Sequence, residues 1–90
     1  MYSLKPSPYQ VMQNLAQRHR KIRRRLKLSQ EEMAERSGVS LGSLKRFENS
    51  GKISLESLLK LIHLLGRLED FDHVLSESEN SDDIKKLFSK

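Results

Sequence analysis

The chain has 90 residues, 17 Lys or Arg against 12 Asp or Glu, a net charge of +5 and no Cys. This length allows one small domain with tails, and the lack of Cys excludes disulfides and cysteine-based metal sites. No apolar run approaches the roughly 20 residues that span a bilayer, and no signal-peptide pattern follows the N-terminus, so we expect a cytoplasmic protein.

The charge is divided unevenly along the chain. Residues 1–53 carry 12 Lys or Arg against four Glu, whereas residues 54–90 carry five against eight Asp or Glu. A basic half followed by an acidic half favours a polyanion as the partner of the first half. A basic run also fits a merely solvated surface, so a motif is needed to decide between the two.

The N-terminal part predicts a loose arm, residues 1–7, followed by a long helix. Ser7 is a suitable N-cap, and Pro8 suits the first helical position. Four apolar residues then recur at spacings of four, seven and four, which predicts a buried stripe along this helix. The stripe comprises Val11, Leu15, Ile22 and Leu26. Arg20, Lys21 and Arg24 fall on the opposite side, free to meet phosphate or water.

Residues 29–49 predict two short helices joined by a tight turn. Ser29 and Glu32 have the spacing of a capping box, which starts a helix. Gly38 adopts without steric cost the positive φ that such a turn needs, and Ser40 is the N-cap of the second helix. This pattern is typical of a helix-turn-helix, which places its second helix in the major groove of DNA. The two predicted helices are Gln30–Ser37 and Leu41–Asn49.

Two more helices are predicted after a turn at residues 49–52. Ser54 caps the first of them, Gly66 ends it, and a short fifth helix follows. The apolar face of the fourth helix comprises Leu55, Leu58, Leu59, Ile62 and Leu65. The apolar residues of the fifth are Leu68, Phe71, Val74 and Leu75. The sequence therefore predicts an all-α, five-helix domain over residues 8–75.

An acidic tail is expected at residues 76–90. Its first part is too polar to bury a core, so we expect it to be disordered or to bind a partner. Three apolar residues at helical spacing follow near its end: Ile84, Leu87 and Phe88. They could dock a short helix on this domain or on a partner.

The motif resembles the five-helix DNA-binding domain of the XRE-type regulators, which include the lambdoid phage repressors and Cro proteins. The resemblance covers residues from about 15 to 75. It rests on Arg23, Leu28-Ser29-Gln30, Ala34, Gly38-Val39-Ser40, Leu44, Phe47-Glu48, Gly51 and the Leu-rich fourth helix. The segment from Ser54 to Val74 is also similar to the HipB-like antitoxins that accompany HipA-like kinase toxins. The resemblance implies a bacterial transcriptional repressor, either the antitoxin and autorepressor of such an operon or a phage-type or stand-alone repressor without a toxin.

The polar face of the third helix is expected to enter the DNA groove. Arg46 can pair with guanine O6 and N7 there, although a phosphate contact is the alternative. The resemblance also puts Leu41 and Gly42 beside base edges. Leu41 could equally be a partly buried staple, and Gly42 either lets the backbone approach closely or leaves more of the recognition to DNA shape. The expected phosphate contacts are Gln30, Ser40, Ser43, Lys45, Asn49 and Lys52.

Glu48 is an acidic residue within the basic half. The resemblance implies that it pairs with Arg23, so we expect a partly buried ion pair between the first and third helices. The three His residues lack metal-ligand spacing, and packing or surface roles fit them better. Because no nucleophile–base pair or phosphate-binding loop appears either, we expect no enzymatic activity, no metal and no other cofactor.

A homodimer is expected because one short helix contacts few base pairs, and two copies on adjacent half-sites multiply specificity. The candidate dimer or partner contacts are Leu68, Phe71, Val74, Leu75, Ile84, Leu87 and Phe88. The four in the predicted fifth helix could instead belong only to the internal core.

Overall fold

The computed structural model describes residues 5–77, and within them it contains α-helices, one short 3-10 helix and no strand. The elements are α1 (Pro8–Arg25), α2 (Gln30–Ser37), α3 (Leu41–Ser50), α4 (Leu55–Leu64) and the 3-10 helix (Leu68–Phe71). The all-α prediction is therefore confirmed. Most of the predicted N-terminal arm and almost all of the predicted tail, with Ile84, Leu87 and Phe88, lie outside the described residues.

Each α-helix begins after a serine whose side chain accepts a hydrogen bond from the backbone N–H three residues on. These N-caps are Ser7, Ser29, Ser40 and Ser54. A serine oxygen at this position satisfies one of the N–H groups that a helix start leaves unpaired. The serine caps therefore explain why the observed helix starts match the predicted ones.

The core is built around α3, which packs on α1 and α2, while α4 packs on α2. The largest fully buried side chains are Phe47, Met33, Leu44 and Leu61. Phe47 and Leu44 are three residues apart on α3, so they lie on the same face of that helix. This packing leaves the opposite face of α3 to the solvent.

The predicted apolar stripe of α1 is buried only in part. Leu15 and Ile22 are half-buried, whereas Val11 and Leu26 are 42% and 54% exposed. The fully buried residues of α1 are Ala16, His19 and Arg23. Two of these are polar, and their bonds to a carboxylate on α3 offset the cost of burying them. Apolar periodicity alone does not reveal such a contact.

The predicted fifth helix is also wrong, and the count is four α-helices in residues 5–77. The chain forms only the four-residue 3-10 helix there, followed by turns. Phe71 packs against the core, but Leu68, Val74 and Leu75 are 39%, 58% and 99% exposed. So short a helix is unstable unless an apolar face is buried, and only one side chain of this segment, that of Phe71, is even half-buried.

No helix within residues 5–77 is both long enough and apolar enough to cross a membrane.

Candidate nucleic-acid interface

The face of α3 that points away from the core is polar, basic and open. Leu44, Phe47 and Glu48 are buried on the inner side of this helix. The outer face comprises Gly42, Lys45, Arg46 and Asn49, all of them exposed. With 3.6 residues per turn, these positions project from one side of the helix. The structure thus brings the four predicted polar-face residues together on one accessible surface.

The start of α3 presents hydroxyl groups beside this face. The Ser40 hydroxyl accepts a hydrogen bond from the Ser43 backbone N–H at 3.1 Å, and the two side-chain oxygens lie 2.9 Å apart. Leu41 is half-buried and packs against the core. Its position fits the partly buried staple while leaving some of its surface accessible.

A polar depression connects α3 to the start of α4. It has a volume of about 280 Å³. Its lining is Ser43, Arg46, Lys52, Ile53, Ser54 and Ser57. Two cations and the first turn of a helix favour an anion at this place, because backbone N–H groups and the positive end of the helix dipole point outward there.

Gln30 lies at the start of α2 and joins an internal network as well. Its side-chain amide donates a hydrogen bond to Glu48 Oε1 at 3.1 Å. An amide nitrogen carries two hydrogens, so one remains for a second acceptor. The same side chain is therefore able to connect the network to a phosphate placed at the N-terminus of α2.

Glu48 is the centre of that network. Arg23 makes a two-pronged contact with it, donating from Nε to Oε2 and from a terminal guanidinium nitrogen to Oε1, each at 2.9 Å. Another guanidinium nitrogen of Arg23 donates to the Leu28 carbonyl at 2.8 Å. Glu48 and Arg23 are only 6% and 7% exposed. The pair implied by the resemblance is thus present and ties α1 to α3.

The charge state of Glu48 follows from these contacts. Burial raises the pKa of Glu48, but hydrogen bonds from His19, Arg23 and Gln30 and the charge of Arg23 outweigh burial and hold that pKa well below its usual range. The hydrogen bond to Glu48 raises the pKa of Arg23, and this effect outweighs the burial of Arg23, which lowers that pKa. Both groups are therefore charged at neutral pH.

His19 is a member of this network that the sequence analysis missed. Its Nδ1 lies 2.8 Å from Glu48 Oε2, and its ring contacts Phe47 edge-on with the centroids 5.5 Å apart. The side chain is almost completely buried. Its position four residues before Arg23 on α1 was the available signal, since residues at that spacing share a helix face.

Arg20 also differs from its prediction. Its Nε lies 3.6 Å from Glu48 Oε1, and this nitrogen is buried. Part of a side chain that the helical wheel directed to phosphate or water thus turns toward the carboxylate.

The C-terminal end of α3 is fixed against α1 by two further contacts. Gln13 donates a side-chain hydrogen bond to the Ser50 carbonyl at 2.7 Å. Gly51 follows with a φ of +80°, and a Cβ added there would lie 2.9 Å from the Met12 carbonyl carbon. These contacts set the position of α3 relative to α1. Gln13 was not identified from the sequence, because its bond is to a backbone atom.

The candidate dimer residues in the described part of the chain divide into two groups. Phe71 is half-buried and packs on the core, whereas Leu68, Val74 and Leu75 are exposed. The internal-core alternative therefore applies to Phe71 alone.

No set of three or more His, Asp or Glu side chains within residues 5–77 could hold a metal ion. A family model described as helix-turn-helix matches residues 20–71, which is more than half of the chain. This range includes α2, α3, α4 and the 3-10 helix. Searches of curated proteins and of solved structures found no significant match.

Proposed function

Because this chain belongs to the XRE/Cro-CI-type helix-turn-helix family, whose domain is that of DNA-binding transcription regulators, we propose that it is a repressor that binds a specific double-stranded operator as a homodimer. The observation that carries the proposal is the exposed basic face of α3 opposite its buried side. That helix enters the major groove, which is wide enough to admit an α-helix.

Arg46 is the principal base-contacting residue in this proposal. Its side chain is exposed on the outer face of α3, and a guanidinium group matches the two major-groove acceptors of guanine. Leu41 packs partly on a thymine methyl group. Gly42 has open space around the position of a Cβ, so the backbone of α3 can approach the floor of the groove closely.

Phosphate contacts position α3 in the groove. Lys45 and Asn49 flank Arg46 along the exposed face, and Ser40 with Ser43 supplies hydroxyl donors at the start of the helix. Gln30 contacts a phosphate on one side. Lys52, beside the first turn of α4, contacts another on the other side. Such contacts contribute affinity that depends on salt and carry little sequence information.

The dimer contact is assigned to the segment after α4. The exposed apolar residues of this segment, called the exposed apolar group below, are Leu68, Val74 and Leu75, and none of them lies on α3. Two copies joined through this segment would present two α3 helices to half-sites about one helical turn apart.

The test of DNA binding is a fluorescence-anisotropy titration of the native chain at several salt concentrations. The duplexes are the region upstream of its own gene and a scrambled duplex of equal length. We expect tighter binding to the upstream duplex, with Arg46→Ala removing this preference. Lys45→Ala should weaken binding to both duplexes. It should also reduce by about 1 the slope of the logarithm of the binding constant against the logarithm of the salt concentration.

Lys60→Ala is the matched control, because Lys60 is an exposed lysine on α4 whose neighbour is Glu56 at 3.8 Å. It should bind both duplexes as the native chain does. Equal affinity of the native chain for the upstream and scrambled duplexes would contradict a specific operator.

We further propose that the chain works in the bacterial cytoplasm as the antitoxin of a HipA-like kinase toxin and represses their shared operon. The supporting observation is the set of exposed acidic residues in the segment after α4, namely Glu69, Asp70 and Asp72. The alternative is a phage-type or stand-alone repressor with no toxin partner. Co-expression with the product of the adjacent gene decides between them: a complex that survives gel filtration and inhibits the kinase supports the antitoxin, and no complex supports the alternative.

A further inference from the structure

An open apolar groove lies between α1, α4 and the 3-10 helix, on a part of the surface that holds none of the candidate DNA contacts. Its volume is about 130 Å³. Its apolar walls are formed by Leu15 and Ile22 of α1, by Leu58 and Ile62 of α4, and by Leu65, which directly follows α4. Arg18, Arg67 and Asp70 stand at its edges, and Arg67 donates to Asp70 at 3.0 Å.

The apolar surface continues beyond this groove. A second depression is lined by Leu26, Leu28, Leu64, Leu65 and Arg36. It shares Leu65 with the first and includes Leu26, which is 54% exposed. The two depressions are thus continuous through Leu65 and extend the apolar surface along α1.

His19 also lines the groove, which gives it a polar feature. Its Nε2 is buried and has no hydrogen-bond partner among residues 5–77. Buried polar atoms are nearly always hydrogen-bonded, and an unpaired one is costly. The groove therefore suits an occupant that has apolar side chains and also brings a polar group.

The chain carries a segment of matching chemistry directly after the described residues. Ile84, Leu87 and Phe88 have the spacing i, i+3, i+4, a pattern that would put the three apolar side chains on one face if the segment were helical. The residues before them include Glu77, Glu79, Asp82 and Asp83. This segment is thus acidic first, and its three apolar residues afterwards are interspersed with lysines, Lys85 and Lys86.

The charges on α1 complement that order. Arg18, at the edge of the groove, is followed at spacings of three and four by Lys21 and Arg25, and all three are exposed. Residues at these spacings lie along one side of a helix. These three residues form a basic row on α1. An acidic segment that crossed α1 beside the groove would lie against this basic row.

The tether is long enough for the segment to reach the groove of its own chain. The 3-10 helix borders the groove through Asp70, and Ile84 is seven residues beyond Glu77. Seven extended residues span roughly 23 Å at about 3.3 Å each. Asp70 is likewise seven residues from Glu77, so the chain after Glu77 is long enough to bring Ile84 back to the edge of the groove. So short a connection also gives an effective concentration in the millimolar range, which favours the attached segment over a second copy.

We propose that the groove between α1 and α4 is the docking site of the chain's own C-terminal segment. Ile84, Leu87 and Phe88 fill the groove, and the acidic residues before them lie along the basic row of α1. Docking does not involve the outer face of α3, so it stands or fails independently of DNA binding.

The test uses a single spin label near the end of the chain. Because the chain has no Cys, Lys90→Cys provides one attachment site in the full-length protein. Methyl NMR signals of Ile22 and Ile62 should lose intensity in the labelled chain, and they should recover when the label is reduced. Val39, at the turn between α2 and α3, is the reference and should lose much less.

Two matched variants of the labelled chain separate docking from simple proximity. Leu87→Gln removes an apolar anchor and should restore most of the lost groove signal. Lys86→Gln introduces glutamine at a position outside the three apolar residues, and it should leave the loss of groove signal intensity unchanged. A loss that is the same in both variants would overturn the proposal.

A mixed sample identifies the chain that supplies the segment. Isotopically labelled native chain is combined with spin-labelled chain that carries no isotope. The methyl signals of the groove should keep their intensity in this mixture and lose it only in the chain that carries both the isotope and the spin label. This result supports docking within one chain. Losses in the mixture would assign the groove to a second copy and overturn the proposal, as would the absence of selective loss in every sample.

Discussion

At the scale of single residues, the position of α3 depends on one carboxylate. Glu48 accepts hydrogen bonds from Arg23 and Gln30 and contacts His19 Nδ1. Arg23 and Glu48 were identified through a family resemblance. His19 was not, although its position four residues before Arg23 places both side chains on one face of α1, within reach of the same acid 29 residues away.

Replacing Glu48 by Gln should lower the free energy of unfolding by about 3–5 kcal/mol, because the substitution leaves the Arg23 guanidinium charged, buried and without its ion partner. Urea denaturation of the native and variant chains measures this. Glu56→Gln is the control, since Glu56 is an exposed acid 3.8 Å from Lys60, and it should cost less than about 1 kcal/mol. Equal losses in the two variants would contradict the role given to the network.

The pH dependence of that difference should follow the pKa of Glu48, which lies below its ordinary value of 4.5 in the folded chain. A depressed pKa contributes stability above the unfolded-state value, and the contribution is lost as pH falls through the folded-state value. The stability difference between the native chain and Glu48→Gln should therefore be constant near neutral pH and shrink below about pH 4.5. Urea denaturation at a series of pH values tests this, and a difference that grows as pH falls would be inconsistent with it.

At the scale of elements, the starts of the α-helices were predictable because each depends on a local signal, a serine N-cap followed by a suitable first turn. The buried face of α1 and the fifth helix were not. The first depends on Glu48, which is distant in sequence. The second depends on whether Leu68, Val74 and Leu75 find a surface to cover, and they do not find it within residues 5–77.

The junction between α3 and α4 should be sensitive to substitution at Gly51. Gly51→Ala adds a Cβ at 2.9 Å from Met12 backbone and also holds an L-residue at a φ of +80°. Gly38→Ala has the same backbone cost at a φ of +81°, but nothing lies within 4 Å of the added carbon. We expect Gly38→Ala to cost about 1–2 kcal/mol and Gly51→Ala to cost about 1 kcal/mol more. Thermal denaturation compares them, and equal melting temperatures would show that α1 does not limit this junction.

At the scale of the whole molecule, different surfaces carry different chemistry. The outer face of α3 is basic and exposed, whereas the apolar groove and the exposed apolar group after α4 lie elsewhere. The sequence indicated this division through its charge, which is basic as far as residue 53 and acidic afterwards. It did not indicate the groove, because the groove depends on how α1 and α4 are placed relative to each other, which sequence spacing does not give.

The self-association proposed for the chain should depend on the exposed apolar group. Leu75 is 99% exposed, so Leu75→Glu removes apolar surface from the dimer contact without disturbing the core. Sedimentation equilibrium over a range of concentrations should show weaker dimerisation for this variant than for the native chain. Leu55→Glu, at a 65% exposed position on α4, is the control and should dimerise normally. Equal weakening by both would place the contact elsewhere.

Guanine methylation interference is the most direct measurement of whether α3 occupies the major groove. The duplex is one selected from a random library by the native chain, and the added methyl group lies on guanine N7, which is exposed in that groove. The native chain should be blocked by methylation of at least one guanine in each half-site, and Arg46→Ala should become insensitive to methylation of that guanine. Native binding that tolerates methylation at every guanine would contradict the account.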